Sequence, residues 1–167
     1  MSEFTPIRKT VTRQNLEAAF GGESMANRKY LYFAKIARQL GDEEVAALFE
    51  ETAHQETAHA LSHLELLYPP ETLSVERLLQ MAIEGETHEY TTMYPEFRAT
   101  AVAEQDDAAV AEFLEQEAES REHADVFRAA LQKAEKRFQV LAKVEEKHAN
   151  RYREALDRVR VTGAVQA

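Results

Sequence analysis

The residues best suited to chemistry in this sequence are glutamates and histidines that recur at metal-ligand spacing. The candidate metal ligands are Glu23, Glu56, His59, Glu86, Glu89, Glu145 and His148. Four of them form two Glu-x-x-His motifs, and on a helix this spacing puts a carboxylate and an imidazole one turn apart on the same face, where both can reach one ion. One such motif alone is a weak signal in a chain of 30 acidic residues and six histidines.

All seven candidates fall on the apolar stripe of a predicted helix, and this placement strengthens the pattern. Five carboxylates packed away from water repel one another and lose hydration, which is unfavourable unless most are protonated or cations neutralise them. Two divalent cations nearly balance five negative charges. Several carboxylates with two imidazoles suit iron or manganese, whereas ligand sets made of oxygen alone suit magnesium or calcium. The pattern therefore predicts a site for two transition-metal ions.

Helices must position these residues, because glycine and proline are scarce and apolar residues recur every three or four positions between them. We predict one domain over residues 1–167, with helices over about 11–40, 43–68, 73–103 and 107–160. Pro95 is expected to bend the third helix. The last segment contains neither glycine nor proline, and it is compatible with one long helix or with two that meet near 131–135.

Composition excludes several function classes. The net charge of −10 leaves no basic surface of the kind that binds nucleic acid. The absence of cysteine excludes disulfides, Cys-ligated zinc and iron–sulfur clusters from these 167 residues. No apolar run reaches the roughly 18 residues of a membrane span, and the N-terminal segment lacks the apolar stretch of a secretory signal. We therefore expect a cytoplasmic protein that binds neither nucleic acid nor membranes.

An internal repeat relates the two halves of the chain. Residues 43–60 recur loosely at 107–124, and in the last part the two copies align without a gap, which places Ser120 at the position of Glu56. The second copy of the Glu-x-x-His motif therefore lacks its carboxylate, and an intact copy follows only at Glu145 and His148.

This repeat leaves two placements open for the last ligand pair. The spacing of the first half would set Ser120 opposite Glu86, whereas Glu145 lies much further along the chain. We favour Glu145 with His148, since only that pair supplies both ligand types. His123 is left as a candidate for a second or vestigial metal site.

Four segments resemble the di-iron domain of rubrerythrins: GGESMANRKYLYFAKIA, LFEETAHQETAHA, GETHEYTTMYPEF and LAKVEEKHANRY. The resemblance covers most of residues 11–160 and implies an all-α, ferritin-like four-helix bundle, here with an extended helical segment near the C-terminus. It implies that the seven candidate ligands hold two iron ions, with manganese compatible at one or both positions. Tyr30 and Tyr94 match tyrosines beside the family's di-iron site and are the candidate catalytic residues.

The resemblance implies reduction of hydrogen peroxide, in which reduced iron gives two electrons to the O–O bond. Rubrerythrins usually carry a Cys-ligated rubredoxin domain that supplies these electrons. Since this chain has no cysteine, we expect an external donor, rubredoxin-like or of another kind. A ferroxidase or iron-handling protein that uses O2 is the alternative. A partner-binding bundle with exposed acidic residues is a third hypothesis.

The short link between the second and third helices predicts a homodimer that exchanges helices. In a ferritin-like bundle these two helices run parallel, so the chain must travel back about 30 Å between them. Residues 68–73 are free to make this connection, and six extended residues span about 20 Å at most. Passing the third helix into a neighbouring subunit removes the constraint.

Overall fold

Helices make up the described part of the protein. This computed structural model describes residues 10–164, and its helices are α1 (Val11–Gln39), α2 (Glu43–Leu67), α3 (Val75–His88), α4 (Tyr94–Glu104) and α5 (Asp107–Ala164). A 3-10 turn at Pro70–Thr72 precedes α3, and a π-helix at Glu89–Met93 joins α3 to α4. No strand occurs within residues 10–164, which confirms the all-α prediction. The prediction that the N-terminal segment lacks a secretory signal falls partly on residues 1–9, which lie outside the described range.

Polar caps set where three of the helices begin. The side chains of Thr10, Asp42 and Ser74 each accept a hydrogen bond of 3.0–3.1 Å from the backbone N–H three residues later. Each bond satisfies a donor that the first helical turn leaves without an intrahelical partner. Gly41 lies in the turn between α1 and α2 at φ 88°, a left-handed conformation that glycine adopts without a Cβ clash.

The chain divides into two compact units on either side of Leu73 and Ser74. In the first unit α1 packs along α2. Small side chains form most of its core and let the two helices approach closely. The buried apolar residues are Ala34, Ala37, Ala46, Ala53, Ala60 and Leu67. Tyr30, Phe33 and Phe49 form an aromatic cluster with ring centroids 5.6–6.5 Å apart.

A buried polar side chain joins the two helices of this unit. Asn27 of α1 is 9% exposed, and its Nδ2 donates to the Ala53 carbonyl oxygen at 2.6 Å and to Thr57 Oγ1 at 2.9 Å. Both acceptors lie on α2. A buried amide that loses its partners is costly, so these bonds favour one register of α1 against α2.

The second unit packs α3, the π-helix and α4 against α5. Tyr94, Phe97 and Phe113 form its aromatic cluster, with ring centroids 5.7–6.4 Å apart. Its buried residues are Ala101, Ser120 and Ala124. As in the first unit, small residues at the helix contacts allow close approach.

The irregular turn of the second unit lies just before Pro95. The Tyr94 N–H bonds to the carbonyl of Glu89, five residues back, which is the π-helical pattern. Pro95 stands in the first turn of α4, and a proline ring within a regular helix clashes with the carbonyl four residues earlier. A widened turn ahead of the proline relieves this clash, so the bend expected at Pro95 takes the form of a π-helix at 89–93.

The last helix, α5, is continuous over 58 residues. Of the two arrangements compatible with the sequence, the structure has the single helix, because residues 131–135 are helical. Its C-terminal part carries an exposed apolar stripe, which includes Phe138, Leu141, Val144, Tyr152 and Leu156. Among residues 10–164, no helix combines the length and the apolar character that crossing a membrane requires.

We expect Asn27→Ala to lower the free energy of unfolding by about 1–2 kcal/mol, because it removes one buried and one partly buried hydrogen bond. Asn150→Ala is the matched control, since Asn150 makes no such bond between helices and the same change there should stay within about 0.5 kcal/mol. Urea unfolding of the metal-free variants, followed by circular dichroism, measures both values. Equal losses in the two variants would contradict the role given to Asn27.

Candidate metal centre

Three of the predicted ligands converge in the first unit. Glu23 comes from the middle of α1, and Glu56 and His59 lie one turn apart on α2. One ligand atom of each lies within 4.8 Å of the others, and Glu56 Oε2 is 2.9 Å from His59 Nδ1. Both carboxylates are half-buried and the imidazole is exposed. Two carboxylates and one imidazole at this spacing fit a divalent transition-metal ion.

The Asn27 hydrogen bonds hold these ligands in place. Asn27 follows Glu23 by one helical turn, and its acceptors, Ala53 and Thr57, flank Glu56 on α2. Because the bonds set the register of the two helices, they also set the carboxylate of α1 opposite the carboxylate of α2. The sequence analysis did not predict this role of Asn27. The available signal was that Asn27 lies on the same helix face as Glu23.

Two further predicted ligands, both from α3 and its π-helical continuation, meet α5 in the second unit. Glu86 Oε2 lies 3.4 Å from His123 Nδ1, and Ser120 Oγ donates a hydrogen bond of 2.8 Å to Glu89 Oε2. Glu89 is the first residue of the π-helix. Such π-helical turns occur frequently at functional sites.

One carboxylate oxygen in this cluster accepts no hydrogen bond in the described structure. Glu86 Oε2 is buried without a hydrogen bond in the described structure, although the His123 imidazole is near. A buried carboxylate oxygen without a partner is unfavourable, so the pair is suited to share a cation. Two ligand atoms, each about 2.1 Å from an ion and at right angles, lie about 3 Å apart. In chemistry and spacing, Glu86 and His123 therefore fit a metal ion.

The last two predicted ligands lie elsewhere on α5. Glu145 Oε2 and His148 Nδ1 are 3.9 Å apart, and their side chains are 77% and 51% exposed. Glu145 lies beyond Ser120 on the same uninterrupted helix, and the rise per residue separates the two by about 37 Å along its axis. The structure thus does not bring this pair to the glutamates at 86 and 89, which instead face Ser120 and His123.

The two candidate catalytic tyrosines lie in different units. Tyr30 is half-buried in the aromatic cluster of the first unit, two helical turns after Glu23. In the second unit, burial and then the charge of Glu89 raise the pKa of the Tyr94 phenol above its ordinary value. The phenol therefore keeps its proton at neutral pH and is available as a hydrogen-bond donor.

The sequence analysis did not predict a polar network that lies next to Glu86 along the chain. Arg128 donates to Thr87 Oγ1 at 2.9 Å and to the Tyr90 hydroxyl at 3.3 Å, and the bond to the hydroxyl lowers the pKa of Tyr90. The Arg121 guanidinium lies over the Tyr90 ring, 4.8 Å from its centroid. The available signal was the spacing of the two arginines, about two helical turns, which puts them on one face of α5.

One known protein family matches most of the chain. The rubrerythrin family model matches residues 14–156, a range that contains all seven candidate ligands. The chain belongs to the rubrerythrin family. The resemblance is thereby confirmed, and with it the ferritin-like fold class.

Individual rubrerythrins and a related structure are similar over most of the chain. The rubrerythrin of Porphyromonas gingivalis is 32% identical over 157 residues, which are 87% of this chain and 66% of that protein. Rubrerythrin-1 of Clostridium acetobutylicum is 30% identical over 144 residues, covering 77% and 74%. The structure of fully reduced, all-ferrous nigerythrin is 32% identical and covers 81% of this chain and 73% of that one, with a TM-score of 0.39. The chain thus spans about two thirds to three quarters of these proteins' lengths.

We expect Glu56→Ala to lower the metal content of the protein, because it removes a carboxylate from the only three-ligand group found within residues 10–164. The measurement is iron per chain by inductively coupled plasma mass spectrometry, after anaerobic loading with Fe(II) and desalting. Glu51→Ala is the control, since Glu51 is exposed on the same helix. If both variants retain the iron of the unmodified protein, Glu56 is not a ligand.

Proposed function

We propose that this protein is a di-iron peroxidase that reduces hydrogen peroxide with electrons from an external donor. The observation that carries the proposal is the convergence of Glu23, Glu56 and His59 within 4.8 Å in a chain of the rubrerythrin family. Family membership supports two iron ions as the resident metals. The mixed carboxylate and imidazole ligands are equally compatible with manganese at one or both positions.

The proposed metal ligands follow the sequence prediction on the first three predicted helices. Five of them are Glu23, Glu56, His59, Glu86 and Glu89. Two pairs compete for the remaining positions. Glu145 with His148 is the pair predicted from sequence, because it supplies a carboxylate and an imidazole. Ser120 with His123 is the pair that faces the glutamates of the second unit.

Peroxide reduction consumes two electrons and two protons and yields two molecules of water. Two ferrous ions, when bound, supply the electrons and stabilise the charge that develops on oxygen. Tyr94 is proposed to donate a hydrogen bond or a proton to the reacting oxygen, since a tyrosine phenol is protonated at neutral pH. Tyr30 is proposed to donate a hydrogen bond to a ligand from the first unit.

The electrons that return iron to the ferrous state are proposed to come from a separate protein. These 167 residues contain no cysteine and therefore no Cys-ligated iron site. A rubredoxin-like donor is the first choice, because the resemblance to rubrerythrins implies one. The net charge of −10 favours a donor that presents a basic surface.

We propose further that the protein is a homodimer that exchanges helices. Each unit is compact by itself, with the boundary at Leu73 and Ser74, so a whole unit is available for exchange. The exposed apolar stripe of α5 over residues 138–156 offers additional surface for a second subunit.

The di-ferrous protein should be oxidised far faster by hydrogen peroxide than by O2 when each is mixed with it in a stopped-flow spectrophotometer. Tyr94→Phe should slow the peroxide reaction by on the order of 100-fold, the lower end for loss of a positioned proton donor. Tyr32→Phe is the control, because Tyr32 is 58% exposed. Faster oxidation by O2 would instead favour the ferroxidase function.

Light scattering at micromolar concentration should give a mass twice the 19.0 kDa of one chain. Insertion of a flexible glycine and serine linker between Leu73 and Ser74 should raise the fraction of monomer, because a longer link allows closure within one chain. A metal-loaded monomer without the insertion would refute helix exchange.

A further inference from the structure

Ser120 is a buried neutral residue that contacts a carboxylate. It is 4% exposed, and its hydroxyl is committed to Glu89 Oε2 at 2.8 Å. One turn later, His123 Nδ1 lies 3.4 Å from Glu86 Oε2. The gap-free alignment of the internal repeat makes Ser120 and His123 the counterparts of Glu56 and, one turn on, His59. Thus α5 presents the imidazole of a Glu-x-x-His motif with a hydroxyl in place of its carboxylate.

This exchange of hydroxyl for carboxylate changes what the position can do. A serine hydroxyl carries no charge and has one oxygen, so it neither offsets the charge of a cation nor offers the two ligand oxygens of a carboxylate. Its proton is donated to one of the two carboxylate oxygens of Glu89. Among the residues that the structure describes, the Glu23 group alone brings three ligand atoms within 4.8 Å, a spacing that Glu86, Glu89 and His123 do not reach.

We propose that Glu86, Glu89 and His123 form a second metal position within the second unit, and that Ser120 makes it weaker than the Glu23, Glu56 and His59 position because it replaces a carboxylate with a hydroxyl. The inference rests on the proposed di-metal function. Its consequence is sequential loading, with the Glu23, Glu56 and His59 position filled first. The inference also places the exposed Glu145 and His148 pair outside this second position.

Anaerobic calorimetric titration of the full chain with Fe(II) tests this inference. The unmodified protein should show two resolved steps, with the second dissociation constant at least about ten-fold the first. Ser120→Glu should tighten the second step by about ten-fold or more and leave the first unchanged. Ser120→Ala, which restores no carboxylate, should not tighten it.

Histidine variants separate the two competing ligand pairs. His123→Ala should abolish the second step. His148→Ala, the matched control on the same helix, should keep both steps. The inference is overturned if His148→Ala removes the second step while His123→Ala retains it, or if the unmodified protein binds two ions with equal affinity.

A thermal readout covers the case in which Ser120→Glu disturbs folding. A third carboxylate beside Glu86 and Glu89 should destabilise the metal-free protein and be compensated when metal binds. The rise in Tm on adding Fe(II) should therefore be larger for Ser120→Glu than for the unmodified protein. An equal rise, with an unchanged second step, refutes the inference. If the unmodified protein binds no iron at all, the proposed function itself fails.

Discussion

Repulsion among carboxylates held at helix contacts is the constraint on which the rest of the structure depends. Each unit places two glutamates on the face where its helices meet, and contacts between small residues bring those faces close together. Close approach shortens the distances between ligand atoms and also removes water that would screen their charges. A bound cation would offset both effects, so under the proposed function folding and metal binding are linked.

Two buried polar residues, Asn27 and Ser120, differ in whether they bond to a carboxylate. Asn27 donates to a backbone carbonyl and to Thr57, and so it fixes the helix register without occupying a carboxylate. Ser120 donates directly to the carboxylate of Glu89. The Asn27 bonds therefore leave the ligand oxygens of the first unit available, whereas the Ser120 bond uses one oxygen of the second unit for internal packing.

Periodicity and capping made the helices predictable, since apolar stripes and the polar residues at positions 10, 42 and 74 are local signals. The convergence of Glu23 with Glu56 followed from the same stripes. The partner of α3 on α5 was not predictable in this way, because the two motif copies on α5 are separated by close to a whole number of helical turns and face the same direction. Only the packing of the helices determines which of the two motif copies contacts α3. The π-helix was likewise not predictable from sequence. Pro95 indicates that the helix is disturbed, but it does not indicate which irregular structure results.

The length of α5 gives one continuous backbone two different local stabilities. Over residues 113–128 the helix is tied to its unit by aromatic, hydrogen-bonded and ionic contacts, so amide hydrogen exchange there requires that unit to open. Over residues 138–156 the apolar stripe is exposed, and this stretch lacks the packing of an apolar face that supplies most helical stability in proteins. We expect amides in that stretch of a single chain to exchange by local fraying. Covering the stripe would convert this fraying segment into part of a cooperative unit.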